Sequence, residues 1–361
     1  MILFAAGDVG GARALLPVIA ACECRAVPLV ALAHGHMARA LPAHLTPVAL
    51  PAGAVVAAVE TLLDRLDITG LVFASSVHDT VPLTLARAAK KRGFRVVHLL
   101  DNWSNYRRRL EHDGLPMLVP DLYMVMDEVA RDGAVAHGIP PATVRITGHP
   151  ALASLAEDYA RFSRRQRGKG ALRLLFVSEP VAADQGSDPS SPGFRGYTEK
   201  TVLRLLCRAL QPHAHRVFLS VLPHPREDRV GLERCWNGAR GKLAGTVVAG
   251  GTGRRHMLGA DGVVGMASIL LYEAWLVGKP VLSLQPGLRD PSLKVLAQRA
   301  DLCSVDSKEK IAGALGSWIM TVDQRDDVPR PDLERHRDAA VHIATLLKES
   351  VVGEKCSGTL F

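Results

Sequence analysis

The segment after the first apolar run combines glycines with a carboxylate. Residues 7–11, GDVGG, follow an apolar run over residues 1–6 and lead into a helical pattern. Gly10 and Gly11 allow a ligand to approach the backbone, and the first N–H groups of a helix bind an anion or a hydroxyl. Asp8, at a strand end, is a candidate general base. A plain tight turn between strand and helix is the alternative interpretation.

Two further polar loops follow apolar runs in the first half of the chain. His78 lies in the first loop, and the second begins with Asp101 and continues through Asn102, Trp103 and Arg107. A histidine or a carboxylate there could deprotonate an acceptor hydroxyl. The Asn, Trp and Arg content of the second loop favours binding of a polyhydroxylated acceptor. The alternatives are that His78 merely lies at the cap of the next helix and that Arg107 belongs to a solvated face.

In the second half, a histidine stands between two prolines directly after an apolar run. His224 lies in the segment LPHPRE with Arg226 two residues on. The prolines restrict the backbone, so the imidazole can be aimed at a phosphate oxygen with the guanidinium beside it. The alternative is a turn with a surface histidine.

The most informative stretch is residues 261–282, DGVVGMASILLYEAWLVGKPVL. It predicts a strand ending at Gly265, a loop of small residues, a helix and another strand. Ser268 at the helix start can cap the helix and donate to a phosphate. Glu273 lies among apolar neighbours and needs a partner, for which two ribose hydroxyls would suit. Gln285 at the next strand end is expected to continue the same rim.

Short apolar runs alternate with helical patterns along the whole chain, which predicts parallel sheets covered on both faces. The basic segment 158–170 is either a solvated helix end or an interdomain linker, and the strand expected from residue 172 favours the linker. Helices are expected over 292–298 and 332–349. The expected strands lie at 1–6, 27–33, 71–75, 95–99, 122–126, 145–147, 172–177, 216–222, 246–248, 262–265 and 280–284.

Composition narrows the class of protein. The chain has 361 residues, 48% apolar and 22% charged, which excludes wholesale disorder and suits two domains. The glycine spacing and the missing acidic residue after the second strand predict no nicotinamide dinucleotide site. The net charge of +8 suits a phosphate-bearing ligand or an anionic membrane face, and the basic residues form no stripe interleaved with aromatics, which disfavours nucleic acid.

The cysteines and the apolar segments bear on the compartment. Six scattered cysteines favour free thiols in a reducing cytosol, with Cys22 and Cys24 expected to be buried. The N-terminus lacks the features of a signal peptide, and no apolar run reaches the length of a membrane span. A cytoplasmic protein, with peripheral membrane contact left open, is expected.

Three segments resemble a known superfamily. Residues 261–282 are similar to the donor-nucleotide motif of glycosyltransferases with two Rossmann-like domains, the GT-B fold. Residues 120–150 resemble the end of their N-terminal domain. LPHPRE is similar to the His-Pro motif of bacterial sialyltransferases, of teichoic-acid polymerases and, in a variant form, of UDP-GlcNAc 2-epimerases. The resemblance covers most of residues 1–350.

The resemblance implies an α/β protein of two Rossmann-like parallel-sheet domains facing across a cleft. Residues 1–155 would bind a hydroxyl acceptor and residues 171–331 a nucleotide-sugar donor, with a helix and tail at 332–361 crossing back to the first domain. It also implies that His224 faces the donor phosphates, Ser268 the phosphate or nucleotide, and Glu273 the ribose. No metal or other cofactor is expected, because helix dipoles and basic side chains would stabilise the leaving phosphate.

These features predict a glycosyltransferase that makes a surface glycan or glycoconjugate, with Asp8, His78 or Asp101 as base. The alternatives are a nucleotide-sugar 2-epimerase of the same fold and a non-catalytic nucleotide-sugar binding protein. The resemblance implies Gly-Asp after an N-terminal strand and paired glutamates on the donor helix for an epimerase. This chain has residues 74–76, ASS, and a single Glu273 instead, which argues against epimerisation. Residues 112–114, HDG, only approach the acidic motif of the sialyltransferases, so the donor sugar stays open.

Overall fold

The computed structural model describes residues 1–112, 114–162, 170–249, 252–324 and 327–349. Asp113 and most of the expected linker lie outside the described residues, as does the expected tail from residue 350.

The chain forms two parallel six-stranded sheets, as the alternation of apolar runs and helical patterns predicts. The first sheet has the order β2-β1-β3-β4-β5-β6 and the second β12-β11-β10-β7-β8-β9. The strands are β1 (Ile2–Ala5), β2 (Leu29–Ala31), β3 (Gly70–Phe73), β4 (Arg95–Leu99), β5 (Leu122–Val125), β6 (Val144–Ile146), β7 (Leu172–Val177), β8 (Val217–Leu222), β9 (Ala244–Val247), β10 (Gly262–Gly265), β11 (Val281–Leu284) and β12 (Cys303–Val305).

Helices connect the strands in the manner of βαβ units and cover the sheets. They are α1 (Val9–Glu23), α2 (Met37–Ala40), α3 (Val55–Arg65), α4 (Val81–Lys91), α5 (Glu128–Ala136), α6 (Leu155–Phe162), α7 (Val181–Gln185), α8 (Glu199–Leu210), α9 (Arg229–Ala239), α10 (Gly253–Gly259), α11 (Ile269–Leu276), α12 (Ile311–Gln324), α13 (Asp332–Arg337) and α14 (Ala339–Leu347).

The sheets belong to two compact units. Met1–Ser154 and the described residues from Glu334 form the first unit, and Leu155–Leu333 forms the second. In the first unit α14 packs on α1, so that its apolar residues join the core around β1. The core of the second unit lies between its sheet and helices that include α8 and α12.

Each sheet has a topological switch point, where the strand order reverses. In the first unit the chain runs from β1 to β2 on one side and to β3 on the other, and in the second the reversal lies between β7 and β10. Ligands of open parallel sheets bind beyond the carboxyl ends of strands at such points. The loops after β1, β3, β7 and β10 are therefore the places where a site is expected.

The structure corrects three expectations of local structure. The α-helix expected over 292–298 is a single 3-10 turn, Pro291–Leu293, whose first N–H is capped by Asp290. The helix expected over 332–349 is two helices, α13 and α14, which the chain separates at Asp338. Residues 158–162 of the expected linker lie in α6.

Two further observations concern the cysteines and the membrane. Cys22 is buried as expected, but Cys24 is exposed because it ends α1 at the surface. Within the described ranges, no helix is both long enough and apolar enough to cross a membrane.

Candidate functional site

The loop after β1 holds a carboxylate at the start of a helix. Asp8 is the N-cap of α1, and its Oδ1 accepts the N–H of Gly11 at 2.9 Å. Gly10 lies against the neighbouring loop so closely that a Cβ there would be 2.2 Å from Oδ2 of Asp101. The glycine therefore lets the loop after β1 meet the carboxylate of the loop after β4.

Asp101 forms a buried ion pair with Arg109. Nη1 of Arg109 donates to Oδ1 of Asp101 at 2.5 Å, and the two side chains are 8% and 7% exposed. The same guanidinium donates to the carbonyl oxygens of Ser75 at 2.8 Å and of Ser104 at 3.2 Å. Burying two opposite charges is tolerated only with such further hydrogen bonds. The structure thus brings together two of the three predicted bases, Asp8 and Asp101.

The environment of Asp8 favours its protonated form. Burial raises the pKa of Asp8, and the negative charge of Asp101 raises it further, while the Gly11 N–H, Arg109 and Ser76 lower it. A carboxyl group whose pKa is raised by burial and by a neighbouring carboxyl group is a candidate for taking and giving a proton.

A second acid–base pair lies beside the same loop. Both carboxylate oxygens of Asp79, in the loop after β3, are within 3.1 Å of Nε2 of His34, which follows β2. A Cβ at Gly7 would be 1.6 Å from Oδ2 of Asp79, so the pair occupies the space that the glycine leaves. His78 lies exposed in the same loop, and the histidine that contacts Asp79 is His34.

The loop after β4, which is expected to bind an acceptor, has side chains that already bind other parts of the protein. Trp103 is buried, and its Nε1–H donates to both carboxylate oxygens of Asp127 at 3.0 and 2.9 Å. Arg107 is exposed and pairs with Glu111 one turn on. Asn102 lies half-buried directly after Asp101. Trp103 is therefore a core residue, because its indole N–H finds a buried partner.

In the second unit, a carboxylate of the chain itself occupies the helix start that was predicted for a phosphate. Ser268 is the N-cap of α11, and its Oγ accepts the N–H of Leu270 at 3.3 Å, as predicted. Oε1 of Glu179, in the loop after β7, accepts the N–H of Ala267 at 2.5 Å. Burial raises the pKa of Glu179, against the lowering effect of the N–H groups of Ala267, Ser268 and Met266 and of Arg195, whose Nη1 is 3.8 Å from Oε2.

The His-Pro segment is organised in a similar way. Glu227 accepts the backbone N–H of His224 at 2.5 Å and the hydroxyl of Ser178 at 2.6 Å. Nδ1 of His224 accepts the N–H of Arg226 at 3.2 Å. Burial lowers the pKa of His224, so its ring is neutral with the proton on Nε2, which can donate to a phosphate oxygen.

The predicted ribose carboxylate has a protein partner. Glu273 is buried on α11, and its Oε2 accepts from Nε of Arg254 at 2.7 Å. Arg254, on α10, also donates to Asp158 at 3.0 Å. The expectation that Glu273 needs a partner is met by Arg254, which sequence reasoning missed.

The remaining donor residues are placed as follows. Arg226 is exposed and forms a two-fold hydrogen-bonded pair with Asp184 at 2.7 and 2.9 Å. Gln285 does not continue a rim: it is buried and donates to Tyr197 and to the carbonyl of Leu293. Gly265 ends β10, where a Cβ would be 2.8 Å from the carbonyl oxygen of Val177, so only glycine fits between these strands.

Comparison with known proteins rests on structure alone. The chain matches no protein-family model and no curated protein sequence. It is similar to UDP-GlcNAc 2-epimerase from Methanocaldococcus jannaschii, with 15% identity, a TM-score of 0.64, and 97% of this chain and 99% of that chain covered. The enzyme from Neisseria meningitidis bound to UDP-GlcNAc gives 12% identity, a TM-score of 0.64, and coverage of 96% and 99%.

A third similar structure has a lower TM-score. Anabaena Alr3699/HepE in complex with UDP-glucose has 14% identity and a TM-score of 0.54, with 99% of both chains covered. The fold is of the GT-B type. Two Rossmann-like α/β units, the fold class expected from the sequence, are thus confirmed by the sheets and by these neighbours.

Proposed function

We propose that this protein is an enzyme that acts on a nucleotide sugar, and that it is a 2-epimerase of a UDP-N-acetylhexosamine. The observation that carries the proposal is the similarity, along almost the whole of both chains, to structures described as UDP-GlcNAc 2-epimerases. Epimerisation breaks and remakes a C–H bond, which requires groups that take and give a proton. Asp8, Asp101 and the His34–Asp79 pair lie at the carboxyl edge of the first sheet.

The loop after β3 bears on the choice of the epimerase in two ways. The sequence has no Gly-Asp directly after β3, which argues against this reaction. The loop after β3 nevertheless carries Asp79, held by His34 and by the N–H of Val81 at 3.2 Å. A carboxylate is therefore present in the loop where epimerases are expected to have one.

Glycosyl transfer is the second candidate, and Glu273 favours it. The donor helix carries this single glutamate, which pairs with Arg254, whereas the resemblance implies paired glutamates for an epimerase. In a transferase, Asp8 or Asp101 would deprotonate the acceptor hydroxyl. In both candidates the donor is proposed to bind through His224, Ser268 and the loop after β10, with no metal required.

The deciding experiment separates the two reactions by their need for an acceptor. The protein is incubated in D2O with UDP-, GDP- and CMP-sugars, and the products are followed by NMR and mass spectrometry. An epimerase converts UDP-GlcNAc without any acceptor and incorporates deuterium at C2, whereas a transferase releases nucleotide only when an acceptor is added. If no nucleotide sugar reacts or raises the melting temperature at millimolar concentration, the proposed function is wrong. Activity in EDTA tests the expected independence from metal.

A further inference from the structure

The two carboxyl groups beside Gly10 have different partners. Asp101 is bound by the buried guanidinium of Arg109 at 2.5 Å. Asp8 accepts a backbone N–H from Gly11 and is flanked by the hydroxyl of Ser76. Asp101 therefore has a charged hydrogen-bond partner, whereas the hydrogen bonds to Asp8 come from the neutral groups of Gly11 and Ser76.

Arg109 is fixed from both ends. Its side chain donates to Asp101 and to the carbonyl oxygens of Ser75 and Ser104. Its own carbonyl accepts the hydroxyl of Ser75 at 2.8 Å, and Oγ of Ser75 lies 3.1 Å from Nε2 of His98. Since the Ser75 hydroxyl proton is used on Arg109, His98 must donate to Ser75.

His98, which donates to Ser75, does not change its charge near neutral pH. His98 is fully buried, and burial together with Arg109 lowers its pKa to about 3. The ring is therefore neutral, and the chain from His98 through Ser75 to Arg109 keeps one arrangement of protons. Asp101 is held in addition through its carbonyl oxygen, which accepts from Nε2 of His149 at 3.1 Å.

We propose that Arg109 is a positioning residue that keeps Asp101 ionised and thereby makes Asp8 the carboxyl that gives and takes the proton. The charged groups facing Asp8 are Asp101 and Arg109 from the loop after β4. The His34–Asp79 pair lies against Gly7, the residue before Asp8. The identity of the substrate in this assignment rests on the proposed function. The protonation of Asp8 does not depend on it.

Titration of the aspartates by NMR tests the assignment without a substrate. Protein labelled with 13C at the aspartate carboxyl is titrated, and the Asp8 signal is identified by its loss in Asp8→Asn. Removal of the positive charge in Arg109→Gln should raise the Asp8 midpoint by at least about one pH unit. Arg109→Lys should restore most of it. Arg108→Gln, an exposed neighbour with the same change of charge, should leave it unmoved.

Asp101→Asn provides a second test if Arg109→Gln does not fold. Removal of the neighbouring negative charge should lower the Asp8 midpoint. The proposal would be overturned if the Asp8 midpoint were unchanged in both Arg109→Gln and Asp101→Asn. It would also be overturned if Asp101 had a higher midpoint than Asp8.

Turnover then links the assignment to the reaction. With the nucleotide sugar that reacts best, Arg109→Gln should lower kcat at least about 100-fold with KM within about threefold. The acidic limb of its pH profile should move upward, and Arg109→Lys should rescue it. A fall in kcat that is equal at every pH would make Arg109 merely structural. If Asp8 titrates as expected but no nucleotide sugar reacts, the assignment stands and only the proposed substrate fails.

Discussion

At the scale of single residues, the candidate site depends on charges that are buried with a partner. Asp101 and Arg109 pair in the first unit, and Glu273 and Arg254 pair in the second. Removing one member of such a pair is costly, because the other charge stays buried without compensation. Measurements on these pairs must therefore separate effects on stability from effects on binding and turnover.

Glu273→Ala tests this point in the second unit. Loss of the carboxylate removes one charge-assisted hydrogen bond but leaves Arg254 paired with Asp158, so the free energy of unfolding should fall by about 1.5–3 kcal/mol. Urea denaturation measures the fall. Glu273→Gln keeps a hydrogen-bond acceptor for Arg254 and should cost less. If Glu273→Ala weakens nucleotide binding with unchanged stability, the carboxylate serves the ligand rather than the fold.

His98 gives the molecule a defined response to acid. Its folded pKa of about 3 lies below the ordinary histidine pKa of 6.5, because burial disfavours the charged ring. Between these two pH values the unfolded chain binds the proton and the folded chain does not. The contribution of His98 to the free energy of unfolding therefore falls by about 1.4 kcal/mol for each pH unit below 6.5.

Comparison of the wild type with His98→Gln isolates this residue from the other buried histidines, His149 and His336. Urea unfolding is measured between pH 4.5 and 7.5. As the pH falls, the free energy of unfolding should decrease more steeply for the wild type than for the variant. The difference in slope should correspond to about one bound proton. Parallel pH dependences would show that His98 already titrates normally in the folded protein.

At the scale of elements, a side chain of the protein already binds a backbone N–H at the start of α11. Glu179 accepts the N–H of Ala267, which is the type of group that a phosphate would use. A carboxylate at this place repels an incoming diphosphate and competes for its donors. The element is thus an anion site with an internal anion in it.

Glu179→Gln removes that charge while keeping an oxygen for the Ala267 N–H. Its affinity for a nucleoside diphosphate should rise about tenfold, equivalent to 1.4 kcal/mol, as measured by calorimetry. Glu199→Gln is the matched control: Glu199 is also buried at this edge, but it accepts the N–H of Ala182 instead. Equal or weaker binding by Glu179→Gln would assign Glu179 a structural role at α11.

Sequence patterns predict elements well where one strong signal operates. Mainly apolar runs predict the strands Arg95–Leu99, Leu172–Val177 and Gly262–Gly265 with their bounds, because a strand buried on both faces has little regular polar alternation. The short edge strand β12 was missed, since Cys303 and Ser304 are half-buried and give no apolar run.

Pairings across the sheet edge were beyond sequence reasoning. Asp79 and His34 are 45 residues apart, and Arg109 and Asp101 meet only because the loop between them turns back. Asp8, Asp101 and Ser268 could be predicted as polar residues at strand or helix ends. Which arginine is buried could not, because Arg107, Arg108 and Arg109 are adjacent and alike in sequence. The fold places only Arg109 inside.

At the scale of the whole molecule, the first unit is completed by the other end of the chain. Ile343, Ala344 and Leu347 of α14 are fully buried in the same core as Leu15 and Val18 of α1. Residues more than 300 positions apart therefore share one core, and α1 is the helix that Asp8 begins. The geometry of the loop after β1 consequently depends on the packing of α14.

Ile343→Ala tests this dependence. Truncating a fully buried isoleucine should lower the free energy of unfolding by about 2–5 kcal/mol. Hydrogen exchange should then be faster in peptides of α1 and β1 and unchanged in those of β7 and β8, which belong to the second unit. Val341→Ala, on the exposed side of the same helix, should stay within about 0.5 kcal/mol of the wild type. Loss of protection in both units alike would mean that they unfold as one, and that α14 supports more than the loop of Asp8.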